Sequence, residues 1–557
     1  MTFQDIQKIT WGIADIIRDK GNGETTDYMK IGLPMIFLKR VLDIRAEYVK
    51  EHIMKTVAYK MEDSLIGAID AEGQNMEVYL TKDTMKEWYF ITWEDILNFG
   101  TNPNAEDKEI KLSGYKENIT ITSNAQTRQD FIEQIIHSFK NVKMNDIFEE
   151  SEFLAKIKTT KVISESTFTE LILWISKEDF SYKNAPSDIF SDAYMDLIEK
   201  FAEGAGKKGG EFFTPRKLCE GVVNLLDPEL PESGTLRVCD ITSGSATFLT
   251  VFYDLLKEKL IQTGYQKPDA IDEINNRVEF YLQEKNAFTL IMGEMNLLLA
   301  GMRTVNAYNA NSISEYINNI GTHRGQMDYF VGNPPYGLKD YGMDCLVEGK
   351  GKKLNVLAMG VENRWDMGIP MKGEGEFAFM NTFMDMLNST GRGALVLPLG
   401  TLFKDSTKEI RKKYLENDWV EGLILLPASM FTTTSIPVVI WVFNKAKEER
   451  DTNKVFMINA SEDFVKEGKF NVWNQAASLE SYLERKPFED FSDYISLETL
   501  RENDYNLSVQ RYVFKEVPEE EFDLTELLSD VVEIENGISE KSAVMDDVFS
   551  QIVGLRG

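Results

Sequence analysis

The chain has 557 residues, 43% of them hydrophobic and 27% charged, and carries a formal net charge of −30. That length allows large apolar cores and about two to four domains, so no disulfide or metal staple is required. The three cysteines (Cys219, Cys239, Cys345) and three histidines (His52, His137, His323) are scattered, which argues against a zinc site or a disulfide framework. No run of ~18 apolar residues predicts a membrane-spanning helix. Residues 1–20 lack the basic start, apolar centre and small-residue cleavage site of a signal peptide, so cytoplasmic residence is expected. The acidity opposes simple, independent binding to nucleic acid, where phosphate contacts dominate affinity. A local basic surface or a separate basic partner would reconcile the two.

Residues 1–160 read as mainly helical. Apolar side chains recur at helical spacing over 6–17, and Gly21-Asn22-Gly23 ends that run. Residues 35–41 look like the start of a second, buried helix. The polar stretch 100–116 reads as a loop, and amphipathic helices return over 130–155. From about 165 the texture changes to short apolar runs between Gly-rich turns. Residues 236–241, 328–331, 393–397, 422–426 and 438–443 read as strands, with helical stretches such as 376–387 between them. Strands alternating with helices predict an α/β fold with a doubly wound, Rossmann-like sheet, whose site lies at the carboxyl ends of strands near the switch point. The expected division is a helical domain over 1–160, a sheet domain over 161–475 and a C-terminal helical segment over 476–557. In that last segment the acidic stretch 516–547 carries an apolar pattern at Leu524, Leu527, Leu528, Val531 and Val532. It suits helices that dock on a partner or on the body, or an ordinary solvated terminal helix.

The strongest chemical signal is Asn333-Pro334-Pro335-Tyr336, directly after the strand 328–331. An adenine amine is a poor nucleophile because its lone pair is delocalised into the ring. Two acceptors aimed at its hydrogens favour the more tetrahedral geometry of methyl attack. The Asn333 side-chain oxygen and the Pro334 carbonyl can supply them, two consecutive prolines stiffen the loop, and Tyr336 can stack on an extruded base. A second signal is Asp240-Ile241-Thr242-Ser243-Gly244-Ser245-Ala246-Thr247-Phe248-Leu249, a strand ending in an acid and a small-residue turn that lets backbone approach a cofactor closely. Glu284, after the apolar 278–282, is placed to grip both ribose hydroxyls, and Asn311 is a candidate for bonding the cofactor adenine. Upstream, Gly209-Gly210-Glu211-Phe212-Phe213-Thr214-Pro215-Arg216 is compact and aromatic. Gly204-Ala205-Gly206-Lys207-Lys208 only imitates a phosphate loop, since no Ser or Thr follows its Gly-Lys. The basic stretch Lys350-Gly351-Lys352-Lys353 reads either as a phosphate contact or as a solvated loop.

Phe212-Phe213-Thr214-Pro215 before 240–249 before Asn333-Pro334-Pro335-Tyr336 is the motif order of gamma-class DNA adenine-N6 methyltransferases. More narrowly, the chain resembles the HsdM-type modification subunit of type I restriction–modification systems over nearly its whole length. Lead-in residues Asp188 to Tyr194, the Phe377-Ala378-Phe379 segment, and Leu426-Pro427 through Phe431 add to the resemblance. It implies S-adenosylmethionine as methyl donor, with Phe212, Thr214, Asp240, Ser243, Gly244 and Ser245 lining its pocket and Glu284 taking the ribose. Asn333, Pro334, Pro335 and Tyr336 would hold a flipped adenine in double-stranded DNA. It implies a specificity (HsdS-type) subunit that reads the DNA, a restriction (HsdR-type) subunit, two copies per complex, and no metal. The cofactor loop departs from the family's Asp-Pro-Ala-Cys-Gly-Ser-Gly-Gly. Ile241, Thr242 and Ser243 replace Pro-Ala-Cys, and Ala246 and Thr247 stand where glycines are usual, with side chains that would crowd the methionine end of the cofactor. Other readings stay open: a solitary or phage-defence adenine methyltransferase, a protein glutamine methyltransferase, or a non-catalytic subunit that kept the fold.

Overall fold

The structure is a computed structural model, and it describes residues 1–20, 25–48, 58–60, 77–79, 92–99, 109–111, 120–122, 125–137, 148, 153–158, 163–181, 183–185, 190, 193–194, 214–302, 305–338, 347–348, 353–354, 362–371, 373–431, 436–467, 470–514 and 524–554. The chain divides into two compact units, Met1–Val513 and Phe514–Gly557.

The front of the first unit is built on helices Phe3–Lys20 and Thr25–Tyr48. Ile6, Ile9, Ile13 and Ile17 fall on one face of the former, at helical spacing, and are buried. The latter helix has apolar side chains on several faces, from Ile31 to Ile44, and all of them are buried. The helix Glu165–Ile175 packs on the same core and starts on a sound cap, with Ser164 accepting from the Thr167 backbone N–H. Two short antiparallel strand pairs also occur, Ala58–Lys60 with Glu77–Tyr79 and Glu109–Lys111 with Thr120–Thr122. The stretch 100–116, expected as a loop, therefore carries a strand. Three residues are too few to show a period, and Ile110 is recognisable only through its pairing with Ile121.

The rest of the unit is organised by nine strands in one sheet. In chain order they are β1 (Leu236–Asp240), β2 (Val278–Glu284), β3 (Val305–Asn309), β4 (Met327–Gly332), β5 (Leu387–Pro398), β6 (Val420–Leu425), β7 (Val438–Asn444), β8 (Lys454–Asn459) and β9 (Ser492–Ser496). Their order across the sheet is β9-β8-β6-β7-β5-β4-β1-β2-β3. β3, β2, β1, β4 and β5 run parallel; β7 is antiparallel to β5 and β6, and β9 to β8. Strand side chains alternate between two buried faces. Val439, Trp441 and Phe443 of β7 enter one core, and Val438, Ile440 and Val442 enter the other. Both faces are covered, which explains why these strands read as continuous apolar runs in the sequence.

The edge strand β9, Ser-Asp-Tyr-Ile-Ser, lies beyond the expected boundary at 475. The first unit runs on to Val513. A polar edge strand gives no apolar run to read. Among its described residues the second unit holds one helix, Leu524–Gly554, on which Leu528, Val531, Val532, Ile534, Ile538, Val544 and Met545 are exposed.

Strand order reverses between β1 and β4, since the chain builds outward to β2 and β3 on one side and to β5 on the other. Splayed loops at such a point open a crevice beyond the carboxyl ends of the strands.

Candidate active site

A cavity of about 280 Å³ opens at that crevice. Three strand ends build it. β1 delivers the turn Ile241 to Ser245, β2 ends in Glu284, and β4 leads into Asn333 and Pro335.

The β1 turn is held from below. Asp240, 1% exposed, accepts from the Thr242 backbone N–H at 2.8 Å and from its hydroxyl, while its Oδ2 is buried with no hydrogen-bond partner. Burial pushes the Asp240 carboxyl up to about 7, against the pull of the Thr242 hydrogen bonds, and the nearby Glu284 raises it further. Asp240 therefore shapes the turn without lining the cavity. The turn then passes through left-handed backbone at Gly244 (φ +52°) and Ala246 (φ +60°) before the helix Thr247–Gln262. Glu284 Oε2 accepts from the Gly244 N–H at 3.2 Å and Oε1 from the Asn286 N–H at 2.9 Å. Burial raises its pKa, and those backbone hydrogen bonds oppose the rise.

Ala246, a candidate for crowding the cofactor, does not line the cavity. Its side chain is fully buried and turned toward Gly293, on the helix Ala287–Ala300. A Cβ at Gly293 would stand 3.2 Å from the Ala246 Cβ and 3.1 Å from the Gly244 carbonyl oxygen, so glycine there makes the room that Ala246 takes. Thr247 does face the cavity, and its hydroxyl pairs with that of Ser245 at 3.1 Å.

Asn333 is gripped by its amide. Nδ2 donates to the Thr214 hydroxyl at 3.1 Å, and Oδ1 accepts from the Tyr336 hydroxyl. The Tyr336 ring stands edge-on to Phe431, with centroids 6.4 Å apart. Burial, with the neighbouring Glu376 carboxylate, raises the Tyr336 pKa, so the phenol stays a donor. Pro334 is buried in the loop, Pro335 lines the cavity, and the following Gly337 adopts φ +64°. Asn311 lines the cavity too, but its Oδ1 is committed to the backbone N–H groups of Ile313 and Ser314 at 2.9 and 3.0 Å.

Thr214, Ser243, Gly244, Ser245, Glu284, Asn311, Asn333 and Pro335 thus meet in one cavity, as expected from residues spread over more than a hundred positions. Asp240, Pro334 and Tyr336 do not line it; Asp240 and Pro334 are buried, and Tyr336 is half-buried beside Asn333. Phe212, Gly204 to Lys208 and Lys350 to Lys352 lie outside the described residues.

Residues 185–521 match the model of the family described as N-6 DNA Methylase. The chain belongs to that family. It is a DNA adenine methyltransferase, with the mostly parallel sheet of that class and a helical front. It is 28% identical to the type I restriction enzyme MjaVII methylase subunit of Methanocaldococcus jannaschii, over 97% of this chain and 83% of that protein. It is 25% identical to the MpnII methylase subunit of Mycoplasma pneumoniae, over 98% of this chain and 96% of that one. Among solved structures, a type I restriction-modification system methyltransferase subunit from Streptococcus thermophilus shares the fold, with a TM-score of 0.67 at 22% identity, covering 92% of this chain and all of that one.

The wall of the methylase's cavity also holds residues that sequence reading did not single out as binding. Lys285, Ser312, Leu338 and Phe379 line the cavity. Ser312 was detectable only through contacts: its hydroxyl donates to the Ile241 carbonyl and accepts from Gln283 Nε2 at 3.1 Å, joining the β1 and β2 ends. Phe379 arrives from the helix Gly375–Met386, far along the chain; its Phe377-Ala378-Phe379 segment carries the family resemblance, but nothing local marks it as a cavity residue.

Proposed function

We propose that this methylase is the modification subunit of a type I restriction–modification system and methylates the exocyclic amine of an adenine flipped out of double-stranded DNA. The observation that carries the reading is the Asn333 amide, fixed at the carboxyl end of β4 and on the rim of a cavity whose other walls are the β1 turn and Glu284.

The cavity suits S-adenosylmethionine. Gly244 leaves backbone open to close approach, Ala246 is tucked into Gly293, and Glu284 retains lone pairs on both oxygens for ribose hydroxyls. Thr214, Ser243, Ser245 and Asn311 would complete the pocket. The cofactor supplies an electrophilic methyl on an already activated sulfonium. The chain's own residues do the rest. Asn333 Oδ1 and the Pro334 carbonyl accept from the two amine hydrogens of the base and localise its lone pair for attack. The Tyr336 hydroxyl keeps Oδ1 in register before the base arrives, and its ring, backed by Phe431, offers a face for the base. The cost of leaving the stack is met on DNA by contacts elsewhere in the complex.

Sequence reading is delegated. A specificity subunit would supply the DNA grip that a −30 chain lacks, a restriction subunit would supply cleavage, and two copies of this chain would serve one complex. The exposed apolar side chains of the helix Leu524–Gly554 are its docking surface for the specificity subunit. The helical front and the sheet domain act as separate functional parts of the first unit, and the assembly resides in the cytoplasm.

The test is co-expression of the chain with and without its specificity subunit, followed by sequencing host DNA for N6-methyladenine. Methylation at a defined site only with the partner is the expected result. Methylation by the chain alone would replace this reading with the solitary enzyme.

A further inference from the structure

One carboxylate outside the motifs reaches the catalytic loop. Glu376 sits in the first turn of the helix Gly375–Met386 and is 3% exposed. An acid there would ordinarily serve its own helix, opposite the positive end of the dipole. Glu376 instead sends Oε1 across to the Gly337 backbone N–H, 2.6 Å away and 39 residues earlier. Gly337 immediately follows Tyr336 and holds φ +64°, while a Cβ there would meet nothing within 4 Å. Glycine at 337 therefore serves the backbone conformation and not the space. Oε2 of Glu376 is buried with no hydrogen-bond partner, and among the described residues no cation pairs with the carboxylate. A carboxylate left in that state is costly to bury. Its single bond is the one that pins the loop.

The loop is therefore held at both ends by side chains from distant parts of the chain. Thr214 takes the Asn333 amide at the front, and Glu376 takes the Gly337 N–H at the back. The same helix carries Phe379, three residues on and so on the same face, into the cavity wall. The position of the helix thereby sets both the rear wall of the cavity and the exit of the loop.

We propose that Glu376 is a positioning residue for methyl transfer: through Gly337 it fixes the exit of the Asn333-Pro334-Pro335-Tyr336 loop and so the place of the two acceptors. This rests on the reading of Asn333 as the amide that holds the target amine. Glu376 does not line the cavity, so its loss acts on turnover and spares cofactor binding.

The experiment uses the full chain in its methylating complex. Glu376→Met keeps the side-chain length and removes the acceptor, and Glu376→Gln keeps an acceptor oxygen. Turnover, KM for DNA, equilibrium binding of S-adenosylmethionine and thermal melting are measured for both. Glu376→Met is expected to lower kcat by about 10- to 100-fold, the scale of a small misplacement at a reacting centre. Binding of S-adenosylmethionine stays as in the parent, and Glu376→Gln recovers most of the turnover. Parental turnover in Glu376→Met overturns the proposal. So does a loss of turnover matched by equal losses of cofactor binding and melting temperature, or a Gln variant as impaired as Met. Asn333→Ala, run alongside, separates the two failures. If Asn333→Ala still methylates, the reading of the site is wrong. If it is inactive while Glu376→Met turns over normally, only the role of Glu376 is wrong.

Discussion

The Asn333 side-chain amide donates to the hydroxyl of Thr214, 119 residues earlier in the chain, at 3.1 Å. Thr214 also lines the cavity, so one hydroxyl joins the cavity wall to the Asn333 loop, which in the proposed reading are the cofactor and base sides of the site. Removing it should free the amide to rotate. Thr214→Val, of similar shape, is expected to lower the single-turnover rate by about 5- to 10-fold, as one hydrogen bond of ~1 kcal/mol implies. Thr214→Ser should restore the rate. Rapid-quench methylation assays on both variants check this.

Ala246 and Gly293 share one volume. Gly293→Ala would set a methyl 3.1 Å from the Gly244 carbonyl oxygen and 3.2 Å from the Ala246 Cβ. We expect a loss of about 1–3 kcal/mol of stability from overpacking, with weaker S-adenosylmethionine binding because the displaced atoms belong to the cofactor turn. Adding Ala246→Gly should recover much of both, since it restores the volume and suits the left-handed φ of +60° at that position. Denaturation midpoints and cofactor titrations of the single and double variants read the coupling directly.

Asp240 gives the fold a pH dependence of known sign. Its folded pKa, pushed to about 7, lies above the ordinary carboxylate value of 3.8, so the native state binds the proton more tightly than the unfolded chain. The contribution is fully present below about pH 4 and is lost as pH rises through 7. Asp240→Asn keeps an acceptor for the Thr242 N–H and does not titrate. Its melting temperature should therefore fall less than the parent's between pH 5 and pH 8, a difference that thermal scans across that range resolve.

Tyr336 joins two roles that substitution can separate. Its hydroxyl donates to Asn333 Oδ1, and its ring packs edge-on against Phe431. Tyr336→Phe keeps the ring and should cost less than about tenfold in turnover, the scale of one hydrogen bond. Tyr336→Ala also removes the stacking face, worth about 1–3 kcal/mol per base, and should weaken capture of the flipped base. DNA carrying 2-aminopurine at the target position reports that capture by fluorescence.

Much of this site is visible in the sequence because its key residues sit where strands end. Asp240, Glu284 and Asn333 each follow an apolar run, and an apolar run buried on both faces is the most legible element an α/β fold has. Val438–Asn444 reads as a strand for the same reason, but its antiparallel insertion between β5 and β6 does not. Strand direction depends on connections and pairing, which leave no local pattern. Ser492–Ser496 is missed because it is polar and forms an edge. The contacts that tension the catalytic loop are missed for a different reason. Thr214 to Asn333 and Glu376 to Gly337 are pairings of ordinary residues brought together only by the fold. Ala246 shows the converse limit. In the sequence it reads as a side chain that could crowd a cofactor; in the structure it lies off the cavity lining, in the room left by a glycine 47 positions later.

The central claim is that the Asn333 amide holds the target amine for methyl transfer. The most direct test is single-turnover transfer of labelled methyl from S-adenosylmethionine to DNA by the assembled complex carrying Asn333→Ala, with cofactor binding measured on the same preparation. The account predicts a rate lowered by about 10²- to 10³-fold or more, the scale of losing a preorganised group that acts on the reacting centre, with cofactor binding retained. Transfer at the parental rate would contradict it and move the catalytic role away from the β4 loop.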